Sequence, residues 1–188
     1  MQTAFRGATS QALKFANITV PASVQVIREA DQLIFSGPLG TTSLGLSRID
    51  TEGSSALKLL PAEREIAICS VSKSFHGTLG TLIQNKLHGV TQGYIVYLRI
   101  QGIGYRASLK EQTLNLRLGF SHDIAYTLPQ SLRAFLPEPT LIGLYGIDKN
   151  EVTQAAARIR ALRPPSVYKG KGIRLVDEQV RVKAGKKK

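Results

Sequence analysis

The sequence is poor in the residues on which several common classes of protein depend. Its 188 positions contain one cysteine, no tryptophan and 13 acidic side chains against 25 lysines and arginines. A single cysteine excludes an intramolecular disulfide framework and a zinc site made of several thiolates. No apolar run approaches the roughly 20 residues that a membrane-spanning helix needs, so no membrane partner is expected.

Side chains that carry catalysis are also few. His76, His88 and His122 have no spacing suited to metal ligation, and no Ser/His/Asp order or carboxylate pair stands out. Residues 102–107 have the spacing of a dinucleotide-binding fingerprint, but an alternating pattern follows where that fingerprint requires a helix. We therefore expect a bulge or a tight corner between strands at this motif. The protein is predicted not to be an enzyme and to use no metal, cofactor or small-molecule substrate.

What the sequence has instead is positive charge concentrated at one end. The formal net charge is +12, and positions 148–188 carry twelve of the 25 basic residues but only four of the 13 acidic ones. Residues 158–174 contain no aspartate or glutamate, and their pattern predicts the end of a helix followed by an extended basic ribbon. Such a ribbon fits a polyphosphate backbone, because its cations neutralise phosphates and its glycines let backbone amides approach an anion. The candidate RNA-binding residues are Lys149, Arg158, Arg160, Arg163, Tyr168, Lys169, Gly170, Lys171, Gly172, Arg174, Lys183, Lys186, Lys187 and Lys188.

The spacing of apolar residues predicts an α+β fold with antiparallel sheets. Alternation indicates one hairpin over residues 20–36, a second hairpin over 106–118, and further strands at 65–71, 93–101, 124–128 and 141–145. Helical spacing predicts one helix from Ser74 to about Gly89 and a second over residues 149–162. Gly77 and Gly80 inside the first helix each cost about 1 kcal/mol relative to alanine, which indicates that a strand or an RNA backbone approaches closely.

The second helix carries end signals of its own. Asp148 is predicted to be the N-cap, with Glu151 completing a capping-box arrangement. The helix must stop at Arg163, because the residue before a proline is pushed out of the helical region.

The two halves repeat one order of hairpin, glycine-containing turn, further strands and helix. This repetition predicts two similar tandem domains, each a small antiparallel sheet packed with one helix, and a basic extended C-terminal tail. The expected divisions are a basic leader at 1–15, a first domain at 16–90, a second domain at 91–175 that carries the RNA-binding segment, and the tail at 176–188.

Several motifs of the chain resemble those of one family. They are GIGYRA at 102–107, LRLGFSH at 116–122, GIDK at 146–149, AARIRALRPP at 156–165, YKGKGIR at 168–174 and the terminal KAGKKK, with VPASV at 20–24 and GPLGT at 37–41 in the first half. Together they are similar to the bacterial-type large-subunit ribosomal protein six family, in an organellar form. The resemblance implies a structural constituent of the large ribosomal subunit that binds large-subunit rRNA near the sarcin-ricin loop and the factor-binding region. Neighbouring large-subunit proteins are then partners, with translation factors nearby.

Other interpretations of the ribbon stay open at this point. A free RNA-binding assembly factor or regulator would use the same cations, and a solvated surface loop is the plain structural alternative. The first 28 residues contain no acid, which fits either an organelle-targeting segment or an ordinary basic N-terminus. We expect a ribosome of the mitochondrial matrix, with the plastid stroma and the bacterial cytoplasm as alternatives.

Overall fold

A computed structural model of the chain describes residues 14–46, 49, 55–60, 63–70 and 73–183. The chain divides into two compact units, Met1–Thr91 and Gln92–Lys188. Lys186, Lys187 and Lys188, which were predicted to contact RNA, lie outside the described residues.

The first unit contains two small antiparallel sheets and one helix. Its elements are β1 (Lys14–Thr19), β2 (Gln25–Glu29), β3 (Gln32–Gly37), β4 (Gly40–Gly45), β5 (Ser55–Leu60), β6 (Glu65–Ser70) and α1 (Lys73–Thr91). The strands form sheets with the orders β1-β6-β5 and β2-β3-β4, and α1 contacts strands of both. Alternate residues of β3 and β6 are buried, as the period of a half-buried strand requires. The largest side chains of this core are Leu33, Phe35, Ile66, Ile68, Leu79 and Ile83.

The first helix was predicted correctly, but its glycines are not both explained by close packing. A Cβ at Gly80 would meet Ile68 and Ile18 at 3.9–4.0 Å, an ordinary van der Waals distance. A Cβ at Gly77 would meet nothing within 4 Å in the part of the chain that the structure describes. Of the two predicted alternatives, a closely packed strand is not found at Gly77 among the described residues, and the approach of an RNA backbone stays a prediction.

The second unit repeats this arrangement and extends it. Its elements are β7 (Tyr94–Gln101), β8 (Arg106–Lys110), β9 (Thr113–Arg117), β10 (Ile124–Thr127), β11 (Leu132–Glu138), β12 (Leu141–Gly146), α2 (Lys149–Leu162) and β13 (Gly172–Leu175). The strands form an antiparallel sheet β8-β9-β10 and a four-stranded antiparallel sheet in the order β11-β12-β7-β13. The core joins both sheets to α2 through Leu98, Leu114, Leu116, Ile142, Val152 and Ile159, among others.

The predicted duplication is visible in the topology. The order β1-β6-β5 of the first unit corresponds to β7-β12-β11 of the second, and each unit inserts a three-stranded meander after its first strand. In each unit a helix follows the middle strand of this order, α1 after β6 and α2 after β12. The prediction of an α+β fold made of two similar units is confirmed. The second unit differs by β13, which pairs with the other edge of β7.

The predicted ranges leave out β1, β4, β5, β11 and β13, and the structure gives a physical reason for β1 and β11. In β1 only Ile18 is buried among the described side chains, so its alternation is weak, and pairing with β6 stabilises it as a strand. In β11, Pro137 interrupts the pattern and the register shifts between Phe135 and Glu138. Proline is tolerated there because β11 is the edge of its sheet.

The ends of α2 agree with the predicted signals. The backbone of Asp148 is extended, and its side chain accepts a hydrogen bond from the Asn150 amide at 3.0 Å. At the other end Arg163 leaves the helical region with φ −150° and ψ 83°. Glu151 was predicted to complete a capping box, but its carboxylate accepts a hydrogen bond from the hydroxyl of Ser131, so it connects the start of the helix to the turn before β11.

Candidate nucleic-acid interface

The basic segment after α2 is a closed loop, which we call the basic loop and define as residues 163–172. The Ser166 amide donates to the Lys171 carbonyl at 2.9 Å, and the Gly170 amide donates to the Ser166 carbonyl at 2.8 Å. The Ile173 amide donates to the Arg163 carbonyl at 2.8 Å, which joins the two ends of the loop. The interpretation of this segment as an open extended ribbon is therefore corrected, since the chain folds back on itself.

Glycines make this fold possible. Gly170 has φ +65° and Gly172 has φ +143°, and L-residues with side chains rarely adopt either value. A Cβ at Gly172 would also lie 2.6 Å from the carbonyl oxygen of Pro164. Gly170 and Gly172 thus shape the loop, and their contact with RNA stays a prediction.

Three of the predicted basic residues line one cavity at the basic loop. Arg163, Lys169 and Lys171 line a cavity of about 350 Å³ together with Tyr105, Pro164 and Ser166. Tyr168 precedes the cavity residue Lys169 in the sequence and is 65% exposed. Positive side chains around an opening of this kind suit a phosphate group, and an exposed tyrosine ring suits a stacked base.

Arg160 forms a partly exposed ion pair within the protein. Its guanidinium makes a bidentate ion pair with Glu178, whose carboxylate also accepts from the Leu175 amide at 3.3 Å. The hydrogen bond from Arg160 lowers the pKa of Glu178, and the same bond raises the pKa of Arg160. The pair fastens the segment after β13 to α2, so this member of the predicted set has a structural partner.

The other predicted cations are not all brought to the loop: Lys149 begins α2, at the opposite end of that helix from the basic loop. Arg158 is exposed on α2, whereas Arg174 is half-buried on β13 in register with Arg99 of β7. The Nε atom of Arg174 is buried and has no hydrogen-bond partner within the described ranges. The Lys149 ammonium lies 5.9 Å from the ring centroid of Tyr94.

The described end of the tail lies against the basic loop. The Lys183 amide donates to the Val167 carbonyl at 2.8 Å. Lys183, also in the predicted set, is therefore brought to the loop by a backbone hydrogen bond.

Aromatic residues near the basic loop were missed as site residues. The Arg163 guanidinium lies 4.7 Å from the ring centroid of Phe120, and the Phe120 ring stacks on His122. Tyr105 lines the cavity described above. The available signal was an aromatic residue beside glycine in both GIGYRA and LRLGFSH.

The structure also bears on the sites that the sequence argued against. The corner predicted at residues 102–107 joins β7 to β8, and the Tyr105 amide donates to the Gly102 carbonyl at 3.4 Å. Among the residues with described positions, no three His, Cys, Asp or Glu side chains form a metal-binding group. No helix within the described residues is long and apolar enough to span a membrane.

These features define a class, a duplicated α+β protein whose second unit carries a basic loop. The profile of the family described as Ribosomal protein L6 matches residues 101–175. A protein of Prototheca wickerhamii named large ribosomal subunit protein uL6m is 39% identical over 184 residues, covering 91% of this chain and 95% of its own length. The chain belongs to the ribosomal protein L6 family.

Bacterial relatives are equally similar. The large ribosomal subunit protein uL6 of Methylobacillus flagellatus is 41% identical, covering 91% of this chain and 96% of the relative. That of Thermotoga maritima is 43% identical, covering 90% and 95%. The resemblance inferred from the motifs is thereby confirmed at the level of the family.

Proposed function

We propose that this protein is a structural constituent of the large ribosomal subunit and binds large-subunit rRNA through its basic loop. The observation that carries the proposal is the cavity that Arg163, Lys169 and Lys171 line. Membership of the ribosomal protein L6 family supports it, because the relatives compared here are named as large-subunit proteins.

The proposed contacts are mainly with phosphates. The three cations of the cavity neutralise phosphate charge, and Arg158, Arg174 and Lys183 extend the positive charge of the second unit. Lys149, at the far end of α2, would meet a different part of the RNA. Contacts of this kind fix the position of a protein on RNA and carry little sequence information. The rigid sheets of the second unit hold the loop by β13, and the protein acts by position, not by catalysis.

The motif resemblance supports a finer placement. We infer that the bound rRNA lies near the sarcin-ricin loop and the factor-binding region, with neighbouring large-subunit proteins in contact and translation factors nearby. For the compartment we propose the mitochondrial matrix, because a relative at 39% identity carries the mitochondrial designation uL6m. The bacterial relatives at 41–43% identity keep the bacterial cytoplasm as an alternative, beside the plastid stroma.

The test is sucrose-gradient fractionation of source-cell lysate at low and high salt, with immunoblotting for this protein. We expect salt-resistant co-sedimentation with mature large subunits. Recovery at the top of the gradient, or with precursor particles alone, would replace the proposal with a free RNA-binding assembly factor or regulator. The same gradients run on purified mitochondria decide the compartment.

A further inference from the structure

Two aromatic side chains outside the proposed phosphate contacts form a stack with Arg163. Phe120 and His122 belong to the turn between β9 and β10, and their ring centroids are 6.2 Å apart with planes inclined by 25°. The Arg163 guanidinium lies over the Phe120 ring at 4.7 Å. Arg163 also lines the cavity of the basic loop, so one side chain belongs to both features.

The turn holds this stack at the surface. Phe120 is 39% exposed and His122 is exposed, although burial of an aromatic ring is strongly favourable. Gly119 has φ +75°, and a Cβ there would lie 2.8 Å from the ring of Tyr105. Tyr105, which also lines the cavity, thus packs against the turn at Gly119.

The first unit provides an internal comparison. Its equivalent turn joins β3 to β4 and meets the C-terminal end of α1, where the Leu39 amide donates to the Val90 carbonyl at 3.2 Å. A Cβ at Gly37 would lie 2.7 Å from that carbonyl oxygen. The exposed side chain here is an aliphatic Leu39, so the shared fold does not itself require an aromatic ring or a guanidinium at this junction.

We propose that Arg163, Phe120 and His122 form a platform on which one unpaired RNA base stacks. The inference rests on the proposed rRNA binding and adds a base contact to it. Aromatic rings and guanidinium planes stack with any base, and single-stranded loops supply bases that are free to do so. Because Arg163 joins the platform to the cavity, the base and a phosphate of the same strand bind side by side.

Fluorescence tests the stacking directly. The chain contains no tryptophan, so Phe120→Trp introduces a single indole into the full-length protein. Titration with a transcript of the large-subunit rRNA should quench its fluorescence over the range in which the RNA binds. Leu39→Trp is the matched control, because Leu39 lies at the equivalent turn and is 41% exposed. Its indole fluorescence should change little when RNA is added. Equal quenching at both positions would report general proximity to RNA and overturn the inference.

Affinity measurements separate stacking from charge. Phe120→Ala should weaken rRNA binding between about five-fold and a hundred-fold, with no change in the salt dependence, because a stacked base releases no counterions. Phe120→Tyr should bind as the parent does, and Phe120→Leu, which keeps apolar bulk against Arg163, should bind as weakly as the alanine variant.

The outcomes distinguish this inference from the function on which it rests. If folded Phe120→Leu bound rRNA with full affinity, the base platform would be contradicted and the proposed phosphate binding would stand. No RNA binding by the parent would overturn the proposed function itself. Weaker association with large subunits at unchanged RNA affinity would assign the turn to a protein partner, which also overturns the inference.

Discussion

Arg160 and Glu178 form a partly exposed ion pair that joins α2 to the segment after β13. Its two side chains are 37% and 24% exposed, and the geometry is bidentate, which distinguishes it from the looser pair of Arg117 and Asp123 at 3.7 Å. A bidentate guanidinium contact adds fixed geometry to the attraction. The pair therefore positions the tail beside the basic loop.

Removing the charge of Glu178 should cost stability at neutral pH. We expect Glu178→Gln to lower the free energy of unfolding by up to about 1 kcal/mol, the range of partly exposed pairs. Because the pKa of Glu178 is lowered in the folded state, the carboxylate's contribution is complete above the ordinary glutamate pKa and is lost as the pH falls through the lower folded value. Urea denaturation at neutral pH and at about pH 3 measures both effects.

The exposed pair supplies the control. Asp123→Asn should change the free energy of unfolding by only a few tenths of a kcal/mol at neutral pH, because both partners are more than half exposed. A difference between Glu178→Gln and the parent that stays constant down to pH 3 would show that the carboxylate charge is not the stabilising feature.

At the scale of elements, α1 and the basic loop use glycine for different reasons. In the basic loop, Gly172 is required by its backbone angle and by the nearby Pro164 carbonyl. In α1, Gly77 lies in an ordinary helical segment. A Cβ added there would have no described atom within 4 Å. Glycine there increases the backbone entropy lost on folding without a contact in return.

Alanine at Gly77 should therefore stabilise the protein. We expect Gly77→Ala to raise the free energy of unfolding by about 0.5–1 kcal/mol, since alanine favours the helix and narrows the unfolded ensemble. Chemical denaturation followed by far-UV circular dichroism measures the change.

The contrasting substitution is Gly143→Ala in β12. Its Cβ would lie 2.3 Å from the Phe135 ring, so this variant should lose stability as the ring is displaced. A loss of stability in Gly77→Ala as well would mean that a segment outside the described residues packs against this face of α1.

At the scale of the whole molecule, the net charge of +12 is distributed unevenly in space as well as in sequence. The basic loop gathers cations at one opening of the second unit, and internal contacts engage others, as with Arg160. The proposed attraction of RNA thus depends on which cations are available to contact a phosphate.

Lys171→Ala tests this distribution through salt dependence. If Lys171 neutralises one phosphate, the slope of log K against log salt for rRNA binding should fall in magnitude by about 0.9 for duplex-like RNA. Lys110→Ala, at an exposed lysine of the β8–β9 hairpin, is the control and should leave the slope unchanged. An unchanged slope in Lys171→Ala would mean that its ammonium contacts no phosphate.

Prediction from sequence worked where the signal was local. The spacing of Val152 and Ile159 predicted α2, and the residues at its ends, Asp148 and Pro164, set its limits correctly. β1 and β11 were missed because their pairing partners, β6 and β12, stabilise them more than their own alternation does. Phe120 was missed because its contact with Arg163 crosses 43 positions and depends on the fold.

By itself, the sequence determined the α+β class, the duplication, the ends of α2 and the location of the positive charge. Each depends on the spacing or composition of nearby residues, which the chain carries before it folds. Only the tertiary structure decided that residues 163–172 form a closed loop, that Arg160 is held by Glu178, and that Arg163 meets Phe120. These are contacts between side chains or backbone groups brought together by β13 and the β9–β10 turn, and no local pattern specifies them.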